Sequence, residues 1–379
     1  MKLGLLNSDG TAAEYAAALV AAGCELTLIH EDAVDGAHGS FPAESTVRRV
    51  TEWEEALACG ADFVLVGRAG PEARRLEQLQ RLAQEGMPVL FVHPQTTATL
   101  AYFELDMHRQ ATNVALVPLE ATRHQPAVTA LRELGRIDEV IVEHRVRSAS
   151  RAEALERFIC DIGAIRGLIG PCDKVSAMGS LGEAATAPQT GIQITATSGA
   201  LVRWSIGPTR DEPTTHWRVV GGDGTADLHV DAAGLWRTTT VRNGEIDKRE
   251  DAGAQGVVAA AEAGLLAVGD PANELWREAL ADLELVEAVE RSLRKGRTVE
   301  LFHEEASEQG TFHGVMAAGG CLLLMLSIGT AIAATMLGKF QFAVANAWPY
   351  ALLAVLAVFL LMQFLKFVFP PQDPDAANR

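Results

Sequence analysis

Met87-Pro88-Val89-Leu90-Phe91-Val92-His93-Pro94 is an apolar run that starts after Gly86 and stops at a His-Pro pair. Helical patterns flank it on both sides. Such a run predicts a parallel strand buried on both faces, with its carboxyl end opening onto a crevice. Ligands of open α/β sheets bind at that end. His93 therefore stands where chemistry would be placed.

Strand and helix patterns alternate from the first residue up to this run. Segments 2–6, 25–29, 48–50 and 63–66 read as strands, and 11–22, 53–58 and 71–84 as helices, the last carrying Leu76, Leu79 and Leu82. A further helix is expected at 96–105. The alternation predicts a doubly wound, Rossmann-like parallel sheet over residues 1–118.

The first turn, Asn7-Ser8-Asp9-Gly10-Thr11-Ala12, bears on whether a dinucleotide binds. A dinucleotide turn uses glycines so that the backbone approaches the pyrophosphate, which rests on a helix N-terminus. The three fingerprint positions fall on Asn7, Asp9 and Ala12, and Gly10 lies one position off. Thr11 and Glu14 are spaced as a capping box that would satisfy the helix amides internally. Asp9 and Glu14 would each cost a pyrophosphate about 1 kcal/mol at roughly 4 Å in water. Against this, Glu31 closes the second strand about 20 positions later, where an acidic residue can bind a ribose hydroxyl. Asn7, Ser8, Asp9, Gly10 and Glu31 are thus the candidate cofactor-binding residues.

With 379 residues there is room for two globular domains and an appendage. A net charge of −17 excludes nucleic acid as a partner, because phosphate backbones require basic clusters. The five cysteines show no C-x-x-C spacing, so neither a zinc site nor a disulfide framework is expected. The opening MKLGLLN reads as a strand rather than a signal peptide, which places the soluble part in the cytoplasm with its nucleotides.

Residues 119–300 have a different pattern. An amphipathic helix at 126–134 leads to a period-2 strand at 140–147, then a helix at 152–168. Strands at 192–196, 201–206, 217–220, 226–230 and 235–241 are separated by turn residues at Ser198-Gly199, Gly221-Gly222-Asp223-Gly224 and Asn243-Gly244. A long helix, 274–295, follows. This is an α+β domain with an open antiparallel sheet.

Several local patterns together resemble the Gfo/Idh/MocA oxidoreductases across about residues 1–300. They are Ala61-Asp62-Phe63-Val64-Leu65-Val66, the strand before His93-Pro94, Gly135-Arg136-Ile137-Asp138-Glu139-Val140, Gly170-Pro171 with Val175, and Trp276 with Ser292 and Gly296-Arg297. The resemblance implies NAD or NADP as cofactor, a sugar or cyclitol as substrate and a cis bond before Pro94. It also implies where this sequence departs. The family's strand ends in Glu-Lys-Pro, its lysine taking part in proton transfer, and here the residues are Val92-His93-Pro94. His93 is either a replacement acid/base or a satisfied structural histidine. The family's helix carries an aspartate followed four residues later by a proton-exchanging histidine. Here Asp161 is kept and the histidine position is Ile165, so Asp161 reads as a solvated or capping residue without a partner. His93 and Asp161 are the candidate catalytic residues.

Beyond a linker at 301–313, residues 314–338 contain no charged residue. At about 1.5 Å per residue the segment would span roughly 37 Å as a helix. Residues 348–369 form a second candidate span, flanked by Trp348, Tyr350 and Lys366, and a tail occupies 370–379. A membrane hairpin with both ends in the cytoplasm is expected. Two functions stay open. One is a membrane-anchored protein that senses or binds a sugar-like ligand, its dehydrogenase chemistry lost or altered, with the open sheet available for homo-oligomer formation. The other is an NAD(P)-dependent oxidoreductase using His93.

Overall fold

The computed structural model describes residues 1–30, 47–58, 60–148, 150–179 and 189–301. The first region follows the expected alternation. β1 (Lys2–Leu6), α1 (Gly10–Ala21), β2 (Glu25–His30), β3 (Arg48–Val50), α2 (Glu55–Ala58), β4 (Phe63–Val66), α3 (Glu72–Gln84), β5 (Val89–Val92), α4 (Thr99–Thr112) and β6 (Leu116–Leu119) build one sheet in the order β3-β2-β1-β4-β5-β6. Every pairing is parallel. β4, β5 and β6 are buried at every position, as strands covered on both faces must be. β6, which the sequence analysis leaves out, runs past residue 118 and pairs with β5.

Two short helices, α5 (Ala121–His124) and α6 (Pro126–Thr129), and a 3₁₀ turn at Ala130–Leu134 lead to β7 (Ile137–Val146) and α7 (Arg151–Ile169). Then come β8 (Cys172–Met178), β9 (Thr190–Ala196), β10 (Leu201–Pro208), β11 (Thr214–Gly221), β12 (Gly224–Val230), β13 (Leu235–Arg242) and β14 (Glu245–Ala252). α8 (Ala254–Ala267), α9 (Glu274–Lys295) and β15 (Val299–Glu300) complete the series. The second sheet runs β14-β13-β12-β11-β7-β10-β9-β8-β15.

This sheet is mixed rather than purely antiparallel, because β7 and β10 pair in parallel. The chain leaves β7 through α7, and a helical crossover of that kind returns a strand in the same direction. β14 and α8 were also not anticipated. β14 is exposed at nearly every position and carries no apolar face to detect. α8 is Ala-rich and weakly amphipathic, yet Val257, Ala260 and Ala261 pack against Leu3, Leu5, Leu19, Leu90 and Leu119. The second region thereby supplies a covering helix to the first sheet.

α9 fixes the seam between the two sheets. Asn273 caps it by accepting from the Trp276 amide at 3.0 Å, and Gly296 closes it in the left-handed region. The Trp276 indole stacks on Tyr102 at 5.6 Å and donates to Asp106 at 2.7 Å. Ser292 accepts from the Ala177 amide and donates to the Arg297 carbonyl, tying α9 to β8.

The expected membrane spans at 314–338 and 348–369, the linker from residue 302, the tail and Glu31 lie outside the described residues. Among the described residues no helix is long and apolar enough to cross a membrane.

Candidate functional site

At the first turn the N-cap of α1 is Asp9, not Thr11. The helix starts two residues earlier than a Thr11–Glu14 capping box requires, and Glu14 stays exposed. Asp9 Oδ1 accepts from the Ala12 amide at 2.7 Å and Oδ2 from the Arg68 amide at 3.2 Å. A reciprocal capping box does form at α7, between Ser150 and Glu153. Asn7 adopts φ +50° and buries its amide against Gln78 Oε1 at 2.6 Å. Gly67 passes so close that a Cβ there would lie 2.1 Å from the Asn7 carbonyl oxygen.

A nucleotide phosphate fits this turn at one place. A Cβ on Gly10 would meet nothing within 4 Å, so the first turn of α1, where the Gly10 and Thr11 amides have no intrahelical acceptor, borders open space. A helix N-terminus contributes about 0.3–1 kcal/mol toward an anion. The Asp9 carboxylate opposes it by about 1 kcal/mol at roughly 4 Å. The two terms nearly cancel, so the turn supports weak rather than tight phosphate binding.

His93 lies at the end of β5 as expected, and the His93–Pro94 bond is cis. Its side chain, however, is fully buried. Tyr102 Oη accepts from the Gln95 amide at 3.1 Å and lies 3.0 Å from His93 Nδ1. Burial, and then the positive charge of Arg68, push the imidazole down to about pKa 3. Glu120, 3.9 Å from His93 Nε2, is pushed up to about 8 by burial and then by Asp282. Both groups are therefore neutral near pH 7 and form no ion pair. The strand ends above them are closed by Gln95, whose amide donates to the carbonyls of Val92 and Gly67 and whose oxygens receive Arg75. His93 is thus a fully buried residue, bonded at Nδ1 and without a hydrogen-bond partner at Nε2 among the described residues, with no access to a substrate.

Asp161 is where the structure corrects the sequence most. It is buried, and its Oδ2 receives both His144 Nε2 at 2.6 Å and Trp204 Nε1 at 2.8 Å. His144 Nδ1 in turn lies 3.0 Å from Thr215 Oγ1. The Asp161 carboxylate is thus met by an imidazole from a neighbouring strand rather than from its own helix. His144 sits on the inward face of β7 with Val140 and Val142, and Thr215 pairs with it across to β11. An imidazole on an otherwise apolar period-2 face was the available signal.

These three side chains line a cavity of about 500 Å³. Arg68 and Thr122 reach it from the first sheet's side, and Glu156, Cys160, Trp217 and Trp236 from the second. Arg68 forms an ion pair with Glu156 across it. Burial raises the Cys160 thiol to about 12, which keeps it protonated. Among the described residues no cluster of three or more His, Cys, Asp or Glu residues could hold a metal ion.

No family model matches the sequence, and no curated protein matches it. Solved structures do share the fold. An oxidoreductase from Agrobacterium radiobacter, in complex with NAD+, L-tartaric acid and magnesium, superposes with a TM-score of 0.65 at 16% identity, covering 79% of this chain and 98% of its own. GenD2 from gentamicin A biosynthesis, in complex with NAD, gives 0.65 at 21% identity, covering 80% and 96%. A myo-inositol dehydrogenase from Corynebacterium glutamicum gives 0.63 at 16% identity, covering 80% and 99%. What these likenesses define is the fold: a parallel-sheet domain followed by a mixed-sheet domain, the architecture that the resemblance implies.

Proposed function

We propose that this chain is a nicotinamide-nucleotide-dependent oxidoreductase acting on a hydroxyl of a sugar- or cyclitol-like compound, with its acid–base group relocated from His93 to the His144–Asp161 pair. The observation that carries the reading is that pair, set in a cavity between the two sheets. Structures of the same fold bound to NAD support the cofactor class. A bound nicotinamide nucleotide would supply the hydride acceptor. His144 would take the proton, and the Asp161 carboxylate would hold the imidazolium that results. Arg68 and Glu156 offer a donor and an acceptor to neighbouring hydroxyls.

A second reading, ligand binding without turnover, is favoured by the Asp9 carboxylate at the phosphate position. Titrating the full chain with NAD(H) and NADP(H) separates the two. Asp9→Asn keeps a cap of equal rank and removes the charge, so nucleotide affinity should rise about fivefold, equivalent to about 1 kcal/mol. No response from either protein at millimolar nucleotide would leave the binding reading in its place. The C-terminal hairpin belongs to the same proposal: its uncharged segment supports anchoring, and the full chain should stay with membranes through an alkaline carbonate wash. Release into the supernatant would remove the anchor.

A further inference from the structure

Asp161, His144 and Thr215 form a chain of hydrogen bonds whose direction is set by a donor that cannot be reversed. The Trp204 indole nitrogen only donates, so it gives its hydrogen to Asp161 Oδ2. His144 Nε2 lies 2.6 Å from the same oxygen, which as a carboxylate oxygen accepts both. Nε2 therefore carries a hydrogen, and in the neutral ring that a proton acceptor must have, this tautomer, assigned from the network, leaves Nδ1 bare. Thr215 must then donate its single hydroxyl hydrogen to Nδ1. Its lone pairs remain for the cavity that it lines. Two residues along on the same face of β11, Trp217 Nε1 is buried without a hydrogen-bond partner among the described residues, and Trp217 lines the same cavity. A buried donor in that state marks where a ligand oxygen would accept.

We propose that Thr215 is the residue that takes the substrate's hydroxyl proton and relays it to His144, while Trp217 holds an adjacent substrate oxygen. The inference rests on the oxidoreductase reading above. In the step, the substrate O–H bond breaks and its proton passes to Thr215 Oγ. The hydrogen already on Thr215 passes to His144 Nδ1, the carbon's hydride goes to the oxidised nicotinamide, and the C=O bond forms. Asp161 stabilises the imidazolium until its proton leaves through the cavity to solvent.

The test compares full-length wild type, Thr215→Val and Thr215→Ser in two measurements. In NAD(P)+-dependent polyol oxidation, Thr215→Val should lower kcat by about 100-fold, as loss of a proton-transfer group does, with KM within about threefold. Thr215→Ser, which keeps the hydroxyl, should retain most of kcat. In nitrogen NMR of histidine-labelled protein, His144 should be the Nε2–H tautomer, and Thr215→Val should shift the Nδ1 resonance by removing its bond. A Thr215→Val kcat equal to wild type overturns the relay. If wild type oxidises no polyol, the oxidoreductase reading fails by itself, and the relay is then decided by NMR. An Nδ1 resonance unchanged in Thr215→Val overturns it, and a shifted one sustains Thr215 as the donor.

Discussion

Replacing Gly163 by alanine should destabilise the protein by about 3–5 kcal/mol, although a helix interior ordinarily gains about 1 kcal/mol from that exchange. Gly163 lies within α7, and its missing Cβ is what admits a pair of buried acids. A Cβ there would stand 2.2 Å from Glu120 Oε2 and 3.0 Å from Asp282 Oδ2. Both oxygens sit on buried side chains, so any retreat has to displace packed neighbours. Glu120 follows β6 directly, and Asp282 is held by Arg166, which also pairs with Glu278 at 3.2 Å. Glu120 Oε2 and Asp282 Oδ2 have no hydrogen-bond partner among the described residues. The methyl group would break the cluster and strand a charge, a cost well above the propensity gain. At about 2–4 °C per kcal/mol for chains approaching this size, the melting temperature should fall by roughly 10 °C. Thermal denaturation of the two proteins at pH 7 checks this, and an unchanged or raised midpoint would show that the carboxyls do not depend on the gap.

Glu120→Gln should change the pH dependence of stability by a comparable amount. Burial, and then the neighbouring Asp282, raise the Glu120 pKa from an ordinary value near ~4.3 to about 8. Asp282 is also raised, by burial first, with Arg166 pulling it down. Between the two Glu120 values the folded state holds a proton that the unfolded chain has released. The difference in bound protons then makes stability fall as pH rises from about 4 to 8, and the loss levels off above the folded pKa. Glutamine is neutral throughout, so its curve should lack this decline. At pH 8 and above the variant should be the more stable by on the order of a few kcal/mol. Urea unfolding of both proteins from pH 5 to 9 measures the difference directly, which cancels the titrations they share. Parallel curves would mean that the seam's proton is not on Glu120.

Much of the fold was legible because its signals are local. The apolar runs at β4 and β5 need no information beyond their own residues, since a strand covered on both faces is apolar at every position. α9 was readable from its amphipathic period and its terminal glycine, and the turn at Asn243-Gly244 from its composition. β14 was missed because an edge strand exposed on both faces has no such period. α8 was missed because small residues that pack closely against another sheet look the same as a featureless Ala-rich segment. The capping box shows the limit on a smaller scale. The spacing of Thr11 and Glu14 allowed one, but the start of α1 is decided by whether Asp9 can reach both the Ala12 and Arg68 amides, and Arg68 arrives from another strand.

The sequence by itself determined the alternation of strands and helices, the missing glycines of the first turn and the absence of the lysine and histidine expected from the family resemblance. Only the tertiary structure decided which polar groups gather on the buried faces. His93 was placed correctly along the chain, but its burial against Tyr102 and Glu120 depends on α4, β6 and α9 closing over it. Asp161, His144 and Thr215 come from α7, β7 and β11, and no sequence spacing relates them. They meet because the register of β7 with β11 places His144 opposite Thr215, and because α7 turns Asp161 toward that face. Hydrophobic periodicity fixes which face of an element is buried. The hydrogen-bond partners on that face are fixed only when the elements pack.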